Sequence, residues 1–324
     1  MGYMNFRSYL LASALTTATL TAATGSDVIN GTCGSAGTNG GTTASCARPA
    51  SNQVPAPAAA VGYNTNTFST TRFSASDVDM KGTYLPGFQW YLYNFFGSHP
   101  TSAHIAFTGD GSVSVGQGGN GYNGTLASAG QINGYPGFVG TAFGGGAYIE
   151  AVVKFDAKKF NGVGIGWPAF WTNSLEGDIG TKSHYFEADL LEYFQGQWND
   201  PLNTSHLGIT DWYHPWPHYS VGAFYGSSQS EWSSYNTIAM LWVPATRSMN
   251  GYINFYYNGT LMFSQKYTQF TDSDQSAPSA STPWAFGIVD QQHLVIQAGA
   301  STTYPITIQS VNVWQANAKA NLHH

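Results

Sequence analysis

Residues Tyr185–Phe194 read Y-F-E-A-D-L-L-E-Y-F. Three carboxylates fall within six positions here, in a chain of 324 residues with 17 Asp and Glu against 11 Lys and Arg. Apolar and aromatic side chains on both sides mark a buried strand. Burying carboxylates without cationic partners is costly, and like charges in one site push one of the group toward its protonated form. A chain that tolerates such a row gains chemistry from it.

The spacing sharpens the point. Residues two apart on a strand share a face, so Glu187 and Asp189 point the same way. Glu192 is five positions from Glu187, and a regular strand would send it to the opposite face. One extra residue in a β-bulge restores the phase. The three carboxylates therefore share a surface only if the strand bulges near Leu190–Leu191.

Outward from this stretch the composition is strand-like. Charged residues make up 9% of the chain, against about a quarter in an ordinary soluble domain. Tyr (20), Phe (19), Trp (10) and Gly (38) are plentiful. A net charge of −6 leaves no basic footprint for nucleic acid. From about Thr67 short apolar runs alternate with Gly, Asn, Asp and Pro, the punctuation of antiparallel sheets. Ser102–Phe107, Gly111–Gly116, Ala147–Phe155, Ile238–Val243, Ile253–Tyr257 and the strictly alternating Pro305–Gln315 read as strands, with Asn258-Gly259 as a hairpin turn. Glu150, on Ala147–Phe155, reads as solvent-facing or paired with Lys154. The pairs Gly118-Gly119 and Gly144–Gly146 read as turns.

At the N-terminus, Arg7 precedes the apolar, Thr-rich run Tyr9–Ala23, followed by small residues suited to cleavage. Residues 1–24 therefore read as a secretory signal peptide, too short to span a membrane, and the protein as secreted. Residues 25–66 are Gly, Ser, Thr and Pro-rich and read as a linker without a folded core. Cys33 and Cys46 lie in it and are expected to form a disulfide in an oxidising compartment. A catalytic domain is expected over 67–318 and a tail over 319–324, where the terminal Leu-His-His carries no metal argument. No metal or other cofactor is expected for the chemistry, a structural calcium being the one exception left open.

The Glu-x-Asp-x-x-Glu of Glu187–Glu192, just after G-W-P-A-F-W at Gly166–Trp171, resembles glycoside hydrolase family 16, in its laminarinase-like and agarase-like branch with a bulged motif. Leu241–Pro244, Phe255–Gly259 and Pro305–Gln315 resemble the family's later strands, so the likeness spans roughly Gly87–Gln315. It departs at Ala188, where the family more often has a larger aliphatic residue. The resemblance implies an all-β, concanavalin A-like β-jelly roll of two packed antiparallel sheets with a concave substrate cleft. It also implies Glu187 as nucleophile, Asp189 as its assistant and Glu192 as acid/base of a retaining endo-β-glycanase.

Sugar rings present apolar C–H faces to aromatic platforms. Trp167 and Trp171 before the acidic strand, and Trp198, Trp212 and Trp216 after it, are the candidates for substrate binding, with core packing the alternative for each. Trp171 is the candidate for the subsite beside the nucleophile. His206 lies where relatives commonly carry a histidine near the acid/base. The expected substrate is a β-1,3- or mixed-linkage β-1,3/1,4-glucan, and the expected state a monomer without a membrane span. The alternatives are a non-catalytic, lectin-like carbohydrate-binding protein, a hydrolase of a red-algal galactan (agar or carrageenan), and a polysaccharide lyase.

Overall fold

The computed structural model describes residues 53–95, 100–116, 124–131, 137–157, 168–176, 185–193, 205–213, 219–225, 231–246, 248–267, 293–300 and 305–323. The signal peptide and the Cys33–Cys46 pair expected from the sequence lie outside them. In chain order β1 is Thr65–Thr70, β2 Val78–Asp79, β3 Trp90–Tyr91, β4 Ile105–Phe107, β5 Val113–Val115, β6 Gly124–Ala127, β7 Ala129–Gln131, β8 Phe138–Gly144 and β9 Ala147–Lys154. Then come β10 Ala169–Ser174, β11 Tyr185–Tyr193, β12 Ser205–Tyr213, β13 Tyr219–Tyr225, β14 Asn236–Val243, β15 Gly251–Tyr257, β16 Thr260–Tyr267, β17 His293–Ala300, β18 Ile306–Gln315 and β19 Leu322–His323. A four-residue helix, α1, spans Ala56–Ala59.

The strands form an all-β jelly roll of two sheets. The first has the order β16-β15-β14-β9-β18-β5-β4, with β1 also on β18. The second runs β13-β12-β11-β10-β17-β6-β3-β2, with β8 against β17, β7 and β19. Within each sheet, runs of consecutive strands form meanders: β10 to β13 in the second, β14 to β16 in the first. From β9 to β18 the chain changes sheet between β9 and β10, between β13 and β14, and again between β16, β17 and β18.

Alternation on β9 shows how the layers close. Ala147, Ile149, Ala151 and Val153 enter the core between the sheets, so Tyr148, Glu150 and Lys154 take the other face. From the second sheet Phe170, Phe186, Leu294 and Ile296 meet them, and Trp90, Trp232 and Trp242 are also buried in this cluster. Trp232 stacks on Phe155 at 4.9 Å. The hairpin between β15 and β16 turns at Asn258 and Gly259, whose φ of 46° and 79° are the left-handed pair such a turn requires.

Four expectations change. Residues 53–66 are not free linker: Ala58 and Tyr63 are buried with Tyr148, Ala239, Leu241 and Trp314 on the outward face of the first sheet, and Tyr63 Oη donates to Trp242 O at 3.2 Å. Two small or aromatic contacts in a polar, Pro-rich stretch suffice, which composition averages hide. The end of the chain is not a loose tail, because β19 pairs with β8 and buried Asn321 exchanges hydrogen bonds with Gln315. The strict alternation of β18 holds only at its start; Ser310–Gln315 are buried throughout, where β1 and the aromatic cluster beneath α1 cover them. Glu150 neither faces open solvent nor pairs with Lys154, whose ammonium lies over the Tyr235 ring at 4.2 Å.

Candidate active site

β11 carries the three carboxylates, and its burial pattern departs from simple alternation at one place. Phe186, Ala188, Leu190, Leu191 and Tyr193 all belong to the inter-sheet core. Two consecutive leucines therefore point inward. The pairing with β10 records the same event: Asn173 faces Glu187, Thr172 faces Ala188 and Trp171 faces Asp189. After a shift between Phe170 and Trp171, Phe170 faces Leu191 and Ala169 faces Glu192. Leu190 is the supernumerary residue, and Glu187, Asp189 and Glu192 lie opposite the alternate residues 173, 171 and 169 of one strand.

The physical reason is local. Regular pairing would turn Leu191 outward and drive Glu192 into the core. The bulge instead buries a second leucine, worth roughly 1.5–3 kcal/mol, and spares a carboxylate a desolvation that costs several kcal/mol. The strand pair is pinned by Phe186 N donating to Ser174 Oγ at 3.0 Å and by Thr172 Oγ1 donating to Ala188 O at 3.3 Å. At the far end Tyr193 N donates to Pro168 O at 3.0 Å, and burial pushes the Tyr193 phenol up to about 12.

Around the carboxylates the outward face of the second sheet divides in two. Its β3, β6 and β8 side is filled by Tyr91, Tyr93, Phe95, Ala127 and Phe138, with Val295 of β17. Its β10–β11 side holds the polar row. Glu187 and Glu192 are partly buried, and Asp189 is only 1% exposed. Trp171 stands between Asp189 on β11 and Gln297 on β17. It is 4% exposed, so any ring face it offers a sugar is narrow, and its indole N–H has no acceptor among the described residues.

On the other side of β11, Glu192 faces His206, Glu187 faces Asp211 and Phe186 faces Trp212 across the ladder to β12. The register thus brings His206 next to Glu192. It sets Trp212 opposite a core residue and out of line with the carboxylates. Trp167, Trp198 and Trp216 lie outside the described residues, as do the side chains of His206 and Trp212. Among the described residues no group of three or more His, Cys, Asp or Glu is placed to hold a metal ion, and no helix is long and apolar enough to cross a membrane.

Sequence reasoning missed three members of this neighbourhood. Asp211 joins it by register alone. Asn173 and Gln297 are fully buried and hydrogen-bonded to each other, Gln297 Nε2 donating to Asn173 Oδ1. A trace of each was available: Asn173 is two residues from Trp171, and Gln297 is the lone amide in the apolar run Leu294–Ala300.

No protein-family model matches the sequence, and no curated protein does. Among solved structures it is similar to a laminarinase from Flavobacterium sp. UMI-01, at 15% identity over 78% of this chain and 100% of that one, with a TM-score of 0.46. An endo-1,3-β-glucanase from Streptomyces sioyaensis matches at 15% identity over 80% and 97%, also with a TM-score of 0.46. A legume lectin-like domain from Entamoeba histolytica matches at 8% identity over 66% and 87%, with a TM-score of 0.38. All three scores stay below 0.5.

Proposed function

We propose that the polar half of this outward face is the active site of a secreted, retaining endo-β-glycanase acting on a β-1,3- or mixed-linkage β-1,3/1,4-glucan. The observation that carries the reading is the pair of consecutive core leucines, Leu190 and Leu191, which lets Glu187, Asp189 and Glu192 work as one row. In the first step a Glu187 carboxylate oxygen bonds to the anomeric carbon as the bond from that carbon to the bridging oxygen breaks. Glu192 gives its proton to that oxygen, and the leaving sugar departs as an alcohol. In the second step water attacks the same carbon and Glu192 takes its proton. Glu187 leaves as a carboxylate, and the product keeps its anomeric configuration. Asp189 hydrogen-bonds to Glu187 when one of the two is protonated, and its negative field disfavours a second charge on Glu192.

A neutral glucan suits a chain with 11 Lys and Arg, whereas a sulfated galactan would favour a more basic cleft. Secretion rests on Arg7 and the apolar run after it.

The test is reducing-sugar release from laminarin, lichenan, agarose and cellulose. Wild type is expected to act on laminarin or lichenan, and Glu187→Ala to lose at least about 10⁴-fold in turnover. Glu192→Gln should bind oligosaccharide without cleaving it, yet still form the covalent species from an aryl glycoside whose leaving group needs little acid help. Binding without release by wild type would make the protein a lectin. Release from agarose alone would make it a galactan hydrolase, and products absorbing in the ultraviolet would make it a lyase.

A further inference from the structure

The outward face of the second sheet has a polar point besides the acidic row. Leu294 and Ile296 enter the inter-sheet core, so His293, Val295 and Gln297 of β17 turn to the outward face. Val295 stands opposite Asn173 on β10, and Asn173 stands opposite Glu187 on β11. His293 is therefore two strands across from Glu187 and one step of alternation further along. With strands about 4.8 Å apart and about 3.3 Å per residue, the two Cα positions are about 12 Å apart, the span of about two sugar rings.

His293 is held by Glu176, which follows the end of β10. The His293 backbone N–H donates to Glu176 Oε2 at 3.0 Å, and His293 Nδ1 meets Glu176 Oε1 at 2.5 Å. Both bonds end on one residue, so the carboxylate is fixed in place and in direction. The ring behind it is fixed too: it lies against Gly144, its neighbour on β8, where an added Cβ would collide with the ring edge and with Ala320 O. A carboxylate has about four lone-pair sites, so two bonds leave about half of them for a ligand.

Exposure sets this pair apart from the rest of the floor. Asn173, Val295 and Gln297 are fully buried, and every residue of β10, and of β17 after His293, is buried as well. The side chain of Glu176 is 35% exposed and that of His293 17%. On these two strands and the two residues after β10, solvent meets a polar side chain at this pair alone. We infer that Glu176 is a binding residue for the glucan about two rings from the bond being cut, accepting hydrogens from sugar hydroxyls, with His293 as the residue that positions it. This rests on the hydrolase reading above and deepens it, because it makes chain length a determinant of affinity. A hydrogen bond to a charged acceptor is about twice as strong as a neutral one, and an acceptor already held rigid loses little freedom on binding. The contact lies away from the reacting ring and is equally strong before and during the reaction, so its loss raises KM and spares kcat.

The experiment uses full-length wild type, Glu176→Ala, Glu176→Gln and His293→Ala, with laminarihexaose and a mixed-linkage glucan hexasaccharide labelled at the reducing end. Glu176→Ala should raise KM about tenfold, as expected for one lost charge-assisted bond, and leave kcat within about twofold. It should also shift which bond of the hexasaccharide is cut, a change that a merely structural role would not produce. Glu176→Gln keeps one acceptor oxygen and serves if the alanine variant fails to fold; its rise in KM should be smaller. His293→Ala frees the carboxylate and should also raise KM by less than Glu176→Ala. Unchanged KM and cutting pattern in the Glu176 variants, with or without a lower denaturation midpoint, overturn the inference and leave the hydrolase reading intact. If wild type cleaves neither hexasaccharide, titration calorimetry decides: binding that weakens in Glu176→Ala upholds the contact and overturns the hydrolase reading, and absence of binding overturns both.

Discussion

Glu150 and Glu187 lie on strands of opposite sheets, each on the face turned away from the shared core, and the two faces treat a carboxylate differently. Glu150 stands on β9 between Ala239 and Asn312 of its neighbouring strands. Tyr148 Oη approaches it at 3.5 Å, too long for more than a weak bond, and Tyr148 packs against Tyr256 with ring centroids 6.0 Å apart. Burial is the main cause that pushes its carboxyl up to about 7, only partly countered by the Tyr148 hydroxyl. Burial also raises the Tyr148 phenol, with the Glu150 charge a smaller contribution. Glu187 by contrast belongs to a row of three, opposite an amide and next to a buried indole. A single carboxylate under tyrosines is a liability of packing, whereas a row held in phase by a bulge and flanked by buried amides is a built arrangement. The difference lies in the company each residue keeps, since both are flanked by apolar residues in sequence.

The largest effect should come from the bulge that makes the row possible. In a regular strand only one of two adjacent residues faces the core, so only one of two alanine substitutions is expensive. Here Leu190→Ala and Leu191→Ala should each destabilise by about 2–5 kcal/mol, read from chemical denaturation midpoints at constant m. On β9, where alternation is unbroken, no adjacent pair shares the inter-sheet core in this way. If either leucine is replaced at a cost under about 1 kcal/mol, the double core position is lost and with it the phase of Glu192.

How much of this was legible without coordinates follows the range of the interactions. Ala147–Lys154 announces its two faces by local alternation, and Asn258-Gly259 announces its turn by the conformations those two residues tolerate. The acidic row demands an irregularity near Leu190–Leu191, because five positions cannot share a face otherwise, and the β10 ladder has its shift opposite Leu190. The amide pair was out of reach: Asn173 and Gln297 are 124 residues apart, and their meeting depends on β10 and β17 being neighbours. Glu150 was misread for the same reason. Its burial comes from the aromatic residues gathered on that face, Tyr148 and Tyr256 among them. The packing of Ala58 and Tyr63 was hidden by the polar composition of residues 25–66, and that of Asn321 by its place at the end of the chain.

An intermediate effect, dependent on pH, should separate Glu150 from the acidic row. Its folded-state value of about 7 lies above the ordinary 4.5, so the folded protein holds its proton more tightly than the unfolded chain does. Below about pH 4.5 both states are protonated and nothing is lost. Between about 4.5 and about 7 the unfolded chain ionises first, and stability falls with rising pH by at most about 1.4 kcal/mol per unit. Above about 7 the loss is complete and constant. Glu150→Gln removes it, so at pH 8 the variant should be more stable than wild type by about 2–3 kcal/mol, and at pH 4 the two should coincide. Urea unfolding at both pH values reads this, and activity toward glucan should be the same in variant and wild type. A pH-independent difference would mean that Glu150 is not kept from ionising by its surroundings.

The smallest effect tests whether the segment before β1 belongs to the face that buries Glu150. Tyr63 packs with Tyr148 and Trp314, burial raises its phenol, and its hydroxyl donates to Trp242 O at 3.2 Å. The β8–β9 turn closes against it: Gly146, at φ 93°, approaches so near that an added Cβ would collide with the Tyr63 hydroxyl. Tyr63→Phe keeps the ring and deletes the one bond, so it should cost about 1 kcal/mol at any pH below the range where a phenol ionises. That flat profile is the contrast with Glu150→Gln, since a neutral donor binds the same number of protons folded and unfolded across this range. A loss within about 0.3 kcal/mol of zero would mean that residues 53–63 rest on the sheet without bracing it, and the burial of Glu150 would then rest on the tyrosines of the sheet itself.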